Sequence, residues 1–480
     1  MAAGNLRKNY IYNVSIQIVS LLTPLITAPY LSRILGEDGV GTYSYVHSIA
    51  TYFALFAALG MSSYGLREVS RVRDNRVQSS RLFWELTVIR IVNTLLSFLI
   101  YVGFIWAIGG DWKVYLATGF TILAVGADCT WYFQAMENFK SLMLRNLLIK
   151  LLSVVLIFVF VHTADDVALY CAIQTGSIFL SNLALWPQLR KMVRFIPFRR
   201  LRFMRHIREA LVYFVPTIAT SVYTVLDKTM IGAITHSMAQ NGYYENAHKI
   251  VNILLTVITS LNVVVGVRTS YLFGQNKEEE IRDHIRNTFR FMYMISFPMC
   301  AGLVACGYGF ALEFYGANFA EAGVMLMMFS PLVFVIGTSN VLGSLYLTPS
   351  GQRARSNRAI ITGACVNLVL NILLIPKFGA YGAVIASVLA ELVISAIYLY
   401  FSHSFISAWE LLGIAARYAG FSLAMFVPIY LMGQVMPVEA TTILLQIAVG
   451  VVVYAALLIL FKDPAWNACK DMMKKKLKRK

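Results

Sequence analysis

The sequence predicts an all-α integral membrane protein with about fourteen transmembrane helices, set out as two six-helix pseudo-repeats followed by two C-terminal helices. Three observations carry this. Of 480 residues, 58% are apolar, 14% are charged and mean hydropathy is +0.66, where a soluble chain would carry roughly a quarter charged residues. The apolar residues fall in runs long enough to cross ~30 Å of hydrocarbon at ~1.5 Å per residue. Finally, the polar landmarks of one run return about 200 residues later at constant spacing.

The runs lie at approximately 10–32, 41–63, 82–108, 112–136, 139–161, 167–188, 210–234, 244–271, 288–312, 322–347, 359–376, 378–401, 411–433 and 440–461. Short linkers join them, and helices are the open-chain structures that satisfy their own backbone in lipid. The first run is too long for a signal-peptide core and lacks a small-residue cleavage site, so it reads as a span. The expected organisation is a lobe at 1–197, a second lobe at 198–404, two extra helices at 405–462 and a basic tail at 463–480. Cys129, Cys171, Cys300, Cys306, Cys365 and Cys469 form no CxxC pair. A zinc site or disulfide scaffold is therefore not expected, nor is any other cofactor.

Charge sets the orientation. There are 41 Lys and Arg against 24 Asp and Glu, a net +17. With the N-terminus inside, 33 of those cations fall in inner segments, three (Arg33, Lys113, Lys377) outside and five within spans. This asymmetry places both termini in the cytoplasm. It also explains the basic balance without nucleic acid. The segment Arg199–Arg208 mixes cations with apolar residues as an interfacial helix on anionic lipid would, and Lys474–Lys480 reads as a membrane-attracted end; both also serve simply as topology anchors.

The second and eighth runs pair Gly41 with Gly242, Tyr43 with Tyr244, His47 with His248, Ile49 with Ile250 and Arg67 with Arg268, without a gap. Lys140 and Arg145 match Arg353 and Arg358 more loosely. Even numbers of spans per copy give copies of the same orientation. In transporters of such construction, Pro- or Gly-interrupted helices at equivalent positions mark the pathway; Pro24, Pro29 and Pro216 occupy such places.

Several pieces together resemble a known family. They are Tyr30–Gly36 with Gly41–Tyr43, Gly65–Glu68, Trp131–Gln134 with Phe139–Lys140, Asp227–Gly232 with Gly242–Tyr244, Leu347–Gln352, and Asn367 and Asn371 running into Ile375–Gly379 and Gly382–Ala383. In order and spacing the chain, from about residue 5 to 400, is similar to the polysaccharide-transporter branch of the multidrug/oligosaccharidyl-lipid/polysaccharide exporter superfamily. Its Wzx-type members flip undecaprenyl-pyrophosphate-linked oligosaccharides. One departure is Val267-Arg268-Thr269-Ser270, where the family often places a proline before the arginine. The resemblance implies a flippase of the bacterial inner membrane, with a lipid-linked oligosaccharide as substrate and a polysaccharide polymerase and co-polymerase as partners.

A charge inside a span is costly unless paired or wet, so each is a candidate functional residue. Arg90 and Lys150 lie deep and suit a cavity for a negatively charged head group; Arg33 suits an outer site. Lys228, Lys249, Arg67, Arg268, Asn367 and Asn371 complete the candidate substrate-binding set. Arginine favours phosphate because its planar fork bonds it twice. Asp128, Asp227 and Glu245 are candidates for coupling to a proton or cation gradient. Bland readings stay open beside these. Arg90 could pair locally with Glu85, Glu245 with Lys249 at i,i+4, and the asparagines could be polar glue between helices. His47 and His248 suit interface hydrogen bonding.

Two other classes fit the sequence less well. A glycosyltransferase, polymerase or ligase needs a catalytic chamber, yet the outer loops reach about ten residues and the paired acids Asp165-Asp166 read as a solvated turn. A drug/cation antiporter would favour acidic spans, whereas this chain's intramembrane charges lean basic. No phosphate-binding nucleotide loop appears, which argues against an ATP-driven pump.

Overall fold

The computed structural model describes residues 3–197, 201–275, 277–468 and 470, and among these it contains helices and no strand. The chain forms two compact units, Met1–Gly242 and Tyr243–Lys480. Arg199, Arg200, Cys469 and the Lys474–Lys480 tail lie outside the described residues.

In the first unit, α1 (Ala3–Ala58) holds both the first and second expected spans. They are divided at Gly36, where φ is 67° and ψ is −177°, a conformation that residues with a Cβ avoid. A Cβ built there meets nothing within 4 Å, so the requirement for glycine is conformational. After α2 (Met61–Arg71) comes α3 (Arg76–Ile108), whose first free amides, those of Val77 and Gln78, donate to the Asn75 side chain. The expected fourth span arrives in three pieces: α4 (Trp112–Thr118), α5 (Phe120–Ala127) and α6 (Thr130–Ala135). Then follow α7 (Phe139–Phe160), α8 (Val167–Leu183), α9 (Trp186–Met192) and α10 (Met204–Thr235).

The turn before α8 is solvated, as expected. Asp166 accepts from the amides of His162 and Thr163, and these bonds hold its carboxyl below the usual carboxylate range. One apolar core gathers Tyr43, Val46, Ile49, Tyr101 and Tyr170, and a second gathers Met61, Phe83, Trp131, Tyr132 and Leu185.

The first unit ends with the opening turns of α11 (Met238–Gly274). Here the repeat glycines meet. A Cβ on Gly41 would fall 1.7 Å from the Met238 carbonyl oxygen, and one on Gly242 would fall 2.1 Å from that of Glu37. The repeat also extends to side chains: Tyr43 stacks on His47 at 5.2 Å, and Tyr244 stacks on His248 at 5.6 Å.

The second unit continues with α12 (Glu278–Tyr315), α13 (Ala320–Phe329), α14 (Leu332–Asn340), α15 (Arg353–Phe378), α16 (Ala380–Ser402), α17 (Ala408–Val435) and α18 (Ala440–Leu460). Its core packs Phe289, Met292, Tyr293, Leu342, Leu345, Tyr398 and Tyr418. The expected tenth span is bent by 41° between α13 and α14, beside Pro331, and ends in a π-helical stretch at 341–347. Proline removes a donor and crowds the preceding turn, which accounts for this bend. The fourth and tenth spans, equivalent in the two six-span series, are thus both broken.

Ten segments among the described residues are long and apolar enough to cross a membrane, or eleven if the bent pair 317–347 counts as one span. The expected count of fourteen exceeds this for two reasons. The Leu21–Arg71 segment counts once while holding two expected spans, and α10 and α11, the expected seventh and eighth, are not among the ten.

Candidate functional site

The break in the fourth span organises a polar, largely buried region of the first unit. Helix α5 ends as Asp128 turns to extended geometry, with φ −72° and ψ 115°. The Asp128 carboxylate then starts α6 by accepting from the Thr130 amide at 2.9 Å and the Thr130 hydroxyl at 2.6 Å. Breaking a helix in lipid frees carbonyls, each costing several kcal/mol if left bare.

Side chains bond four carbonyls at the break, of which Val125 O also accepts from the Asp128 amide at 3.2 Å. Asn182 Nδ2 donates to Ala124 O at 2.8 Å, an Arg90 terminal nitrogen to Val125 O at 2.9 Å and Trp186 Nε1 to Ala127 O at 2.8 Å. Trp131 Nε1 donates to Asp128 O at 3.2 Å. Replacing Asn182 with leucine should strand the Ala124 carbonyl and lower stability by about 1–3 kcal/mol. Thermal unfolding in detergent reads this; an unchanged midpoint would show the bond to be dispensable.

Arg90 lies at the centre, only 2% exposed. It also bonds the Ser62 hydroxyl at 3.1 Å and pairs with Asp128 Oδ2 at 3.0 Å, while the Asp128 side chain keeps 17% exposure. Arg145 of α7 bonds Ser181 O at 3.2 Å and Asn182 Oδ1 at 3.3 Å, within electrostatic reach of Asp128. The Nε of both arginines is buried without a hydrogen-bond partner. The one carboxylate pairs with Arg90 and acts on Arg145 only at a distance, leaving a positive charge in excess and donors unspent. Such incompletely satisfied networks are costly, and native proteins keep them mainly at working sites. The chemistry suits an anion with several oxygens.

Local pairing of Arg90 with Glu85 is not what forms. Five residues along a helix place two side chains about 140° apart, on opposite faces. Glu85 instead accepts from Arg81, four residues earlier, at 3.0 Å, and from the Arg202 amide at 2.7 Å. His206 Nε2 meets its other oxygen at 2.8 Å and Arg205 reaches it at 3.4 Å. The Glu85 side chain has no exposure at all, and His206, 1% exposed, contacts the Tyr64 hydroxyl at 2.9 Å through Nδ1. The part of the basic 199–208 segment that is described is therefore anchored in protein as well as rich in cations.

The remaining candidates are placed as follows. Arg33, Arg67 and Arg268 are exposed, and Arg67 donates to the Tyr213 hydroxyl. Lys150 and Lys228 are half-buried, whereas Asp227 is buried, and the Lys228 carbonyl accepts from Asn241 at 2.7 Å. Glu245 and Lys249 pair along one face at 3.4 Å. Asn371 donates to Asn367 at 3.1 Å and Asn367 to Ser387 at 3.5 Å. Both asparagines are fully buried, and Asn367 reaches from α15 to Ser387 of α16, an interhelical bond of the kind polar residues make in membranes. The structure thus brings Arg90 to Asp128, and it separates Arg90 from Glu85.

Sequence reasoning missed Ser62, Asn182 and Trp186. Arg145 was visible as a repeat landmark, matching Arg358, but it counted as an inner-loop cation.

Comparison with known proteins fits this architecture. Residues 6–266 match the family described as polysaccharide biosynthesis protein. A protein of Escherichia coli strain K12 named "Putative O-antigen transporter" is 24% identical over 407 residues, covering 83% of this chain and 96% of its own. A Haloferax volcanii protein named "Probable low-salt glycan biosynthesis flippase Agl15" is 20% identical over 381 residues, 79% of each chain. Among solved structures, the lipid II flippase MurJ in an inward closed conformation superposes with a TM-score of 0.76 at 14% identity, covering 95% of this chain and 99% of that one. An inward-facing multidrug resistance MATE family transporter of the MOP superfamily gives 0.58 at 12% identity, covering 82% and 98%. These named proteins are transporters and flippases, not enzymes, and the two structures share the fold. With more than half its length matched, this all-helical membrane chain belongs to the polysaccharide biosynthesis protein family.

Proposed function

We propose that the protein flips an undecaprenyl-pyrophosphate-linked oligosaccharide from the inner to the outer leaflet of a bacterial cytoplasmic membrane by alternating access, for polysaccharide assembly. The observation that carries this reading is the Arg90–Asp128–Arg145 network at the broken fourth span, with its excess cation and unspent guanidinium donors. A pyrophosphate offers the several oxygens those donors lack, and Arg33, Arg67, Lys150 and Lys228 are further cations of the same unit. Both termini are placed in the cytoplasm by the Lys/Arg asymmetry.

In this scheme Asp128, rather than Asp227 or Glu245, is the coupling carboxylate. Its side chain keeps partial exposure and competes with the substrate for Arg90. Protonation of Asp128 would release Arg90 to the pyrophosphate, and deprotonation would displace the substrate. Glu245 is occupied by Lys249. Polymerase and co-polymerase partners follow from the same reading, since a flipped repeat unit must be joined beyond the membrane. The antiporter reading shares the fold but not the family match.

The test is translocation of a lipid-linked oligosaccharide in vesicles, with surface polysaccharide measured in cells. Lys150→Ala should abolish both at unchanged protein level, Arg90→Ala should abolish translocation per folded protein recovered, since it also removes a buried ionic contact, and Asp128→Asn should remove the response to an imposed proton gradient. Normal surface polysaccharide in both cation variants would overturn the substrate site. An intact gradient response in the asparagine variant would overturn the coupling role. Chemical turnover of the lipid-linked sugar by purified protein would overturn the transporter reading itself.

A further inference from the structure

At the basic end of the first unit lies a cavity of about 630 Å³ that the transport scheme does not use. Phe83 and Trp84 of α3, Leu183 of α8, Trp186 and Arg190 of α9, and Phe195 line it. Its size falls in the range of small-molecule sites.

Its walls are held in place by hydrogen bonds that face away from it. Trp186 Nε1 is spent on Ala127 O, and Trp84 Nε1 on Arg194 O at 3.0 Å. The end of α9 and the segment that follows it are fastened to α3 by three side chains. Arg76 donates to Lys191 O at 2.7 Å and to Met192 O at 3.2 Å, Ser80 Oγ accepts from the Arg194 amide at 2.9 Å, and Trp84 makes the bond already given. The rings also brace each other: Phe83 meets Trp84 at 5.4 Å and Trp84 meets Phe195 at 6.0 Å, edge to face. With the indole donors spent, what the aromatics offer the cavity is apolar.

The rim is cationic. Arg190 lines the cavity and is exposed, Lys191 and Arg194 are exposed next to the lining residues Arg190, Val193 and Phe195 in the chain, none of the lining residues is acidic, and Phe195 is 77% exposed. Cations at a helix C-terminus also complement its dipole, and this accounts for their sign at the end of α9. It does not account for a preformed apolar cavity beneath them, nor for the large aromatic left exposed at its mouth. Leu180 and Leu183 of α8, both exposed, continue the apolar surface away from the rim.

We propose that this cavity is a binding site for an anionic glycerophospholipid, with the phosphate at Arg190, Lys191 and Arg194 and an acyl chain among Phe83, Trp84, Trp186 and Phe195. Charge complementarity selects the occupant: a phosphate-bearing amphiphile fits a cationic rim over an apolar chamber, and a zwitterionic lipid fits it less well. On the orientation argued above, the site faces the cytoplasmic leaflet, where anionic lipid attracts cations at the membrane surface. The proposal does not depend on which substrate is flipped.

The test uses the full-length protein in detergent and in vesicles. Phosphatidylglycerol brominated on its acyl chain should quench tryptophan fluorescence more strongly than brominated phosphatidylcholine. Each of Arg190→Gln, Lys191→Gln and Arg194→Gln should weaken that quenching about fivefold in lipid concentration, from ~1 kcal/mol per cation. Leu183→Phe, which narrows the chamber, leaves the charges alone and adds no tryptophan to the readout, should displace the brominated chain while thermal stability holds. Equal quenching by the two lipids, or an unaffected triple glutamine variant, would overturn the site. Retained phosphatidylglycerol quenching in Leu183→Phe would reduce it to surface attraction and also overturn it. Quenching by a brominated polyprenyl phosphate but not by phosphatidylglycerol would reassign the cavity to the substrate and overturn the phospholipid assignment.

Discussion

Replacing Glu85 with alanine is expected to cost about 3–5 kcal/mol of stability, the usual consequence of removing one side of a buried ionic contact. The carboxylate has no exposure, and the groups it leaves behind differ in what they lose. Arg81 and Arg205 are 38% and 56% exposed and can turn to water, so their pairs contribute little. His206, 1% exposed, and the Arg202 amide cannot easily do so. The loss should therefore be concentrated at the segment entering α10. Protease accessibility around residues 201–208 should rise together with the fall in unfolding temperature. Glu85→Gln keeps an acceptor for the amide and should lose less. If alanine and glutamine variants unfold at the wild-type temperature, the cluster is ornamental and the segment is held elsewhere.

The second large effect is expected at Gly41. A Cβ there would sit 1.7 Å from the Met238 carbonyl oxygen, a distance no rotamer adjustment can relieve because the obstacle is backbone. Gly41→Val must therefore push α1 and the start of α11 apart. Overpacking of a core commonly costs about 1–3 kcal/mol, and a backbone obstacle puts this case at or above the upper end. The expected result is loss of monodisperse protein on size exclusion in detergent. Gly103→Ala and Gly413→Ala, where an added Cβ meets nothing within 4 Å, serve as controls and should behave as wild type. A well-behaved Gly41→Val protein would show that the crossing is looser than the structure has it.

These two sites illustrate what was legible in the sequence. The helical class, the repeat and most segment positions follow from hydropathy and spacing, because in lipid a backbone must satisfy itself along each run. The repeat was carried by Gly41/Gly242 and His47/His248. Their packing shows why such residues stand out: glycines mark a close backbone approach, and each histidine stacks on the tyrosine four residues before it. The Glu245–Lys249 pair was legible for the same reason, since i,i+4 geometry is local.

Long-range partners were not legible. Glu85 is bound by residues 117 to 121 positions away, and nothing local to α3 names them. The break at Asp128 lacks a proline, and hydropathy across 112–136 stays high enough to read as one span. Its only local mark was a carboxylate inside an apolar run. At Pro331 the break carried an ordinary proline signal, which the uninterrupted reading of 322–347 passed over.

The way the Asp128 break is closed bears on biogenesis. Of the four side chains that occupy its freed carbonyls, Arg90 precedes the break, Trp131 sits in it, and Asn182 and Trp186 emerge from the ribosome some fifty residues later. Until α8 and α9 enter the bilayer, the nascent α5–α6 segment holds two bare carbonyls in oil or remains in the translocation channel. Membrane insertion of this stretch is thereby tied to the helices that follow it, and a ribosome stalled before Trp186 should leave the segment extractable.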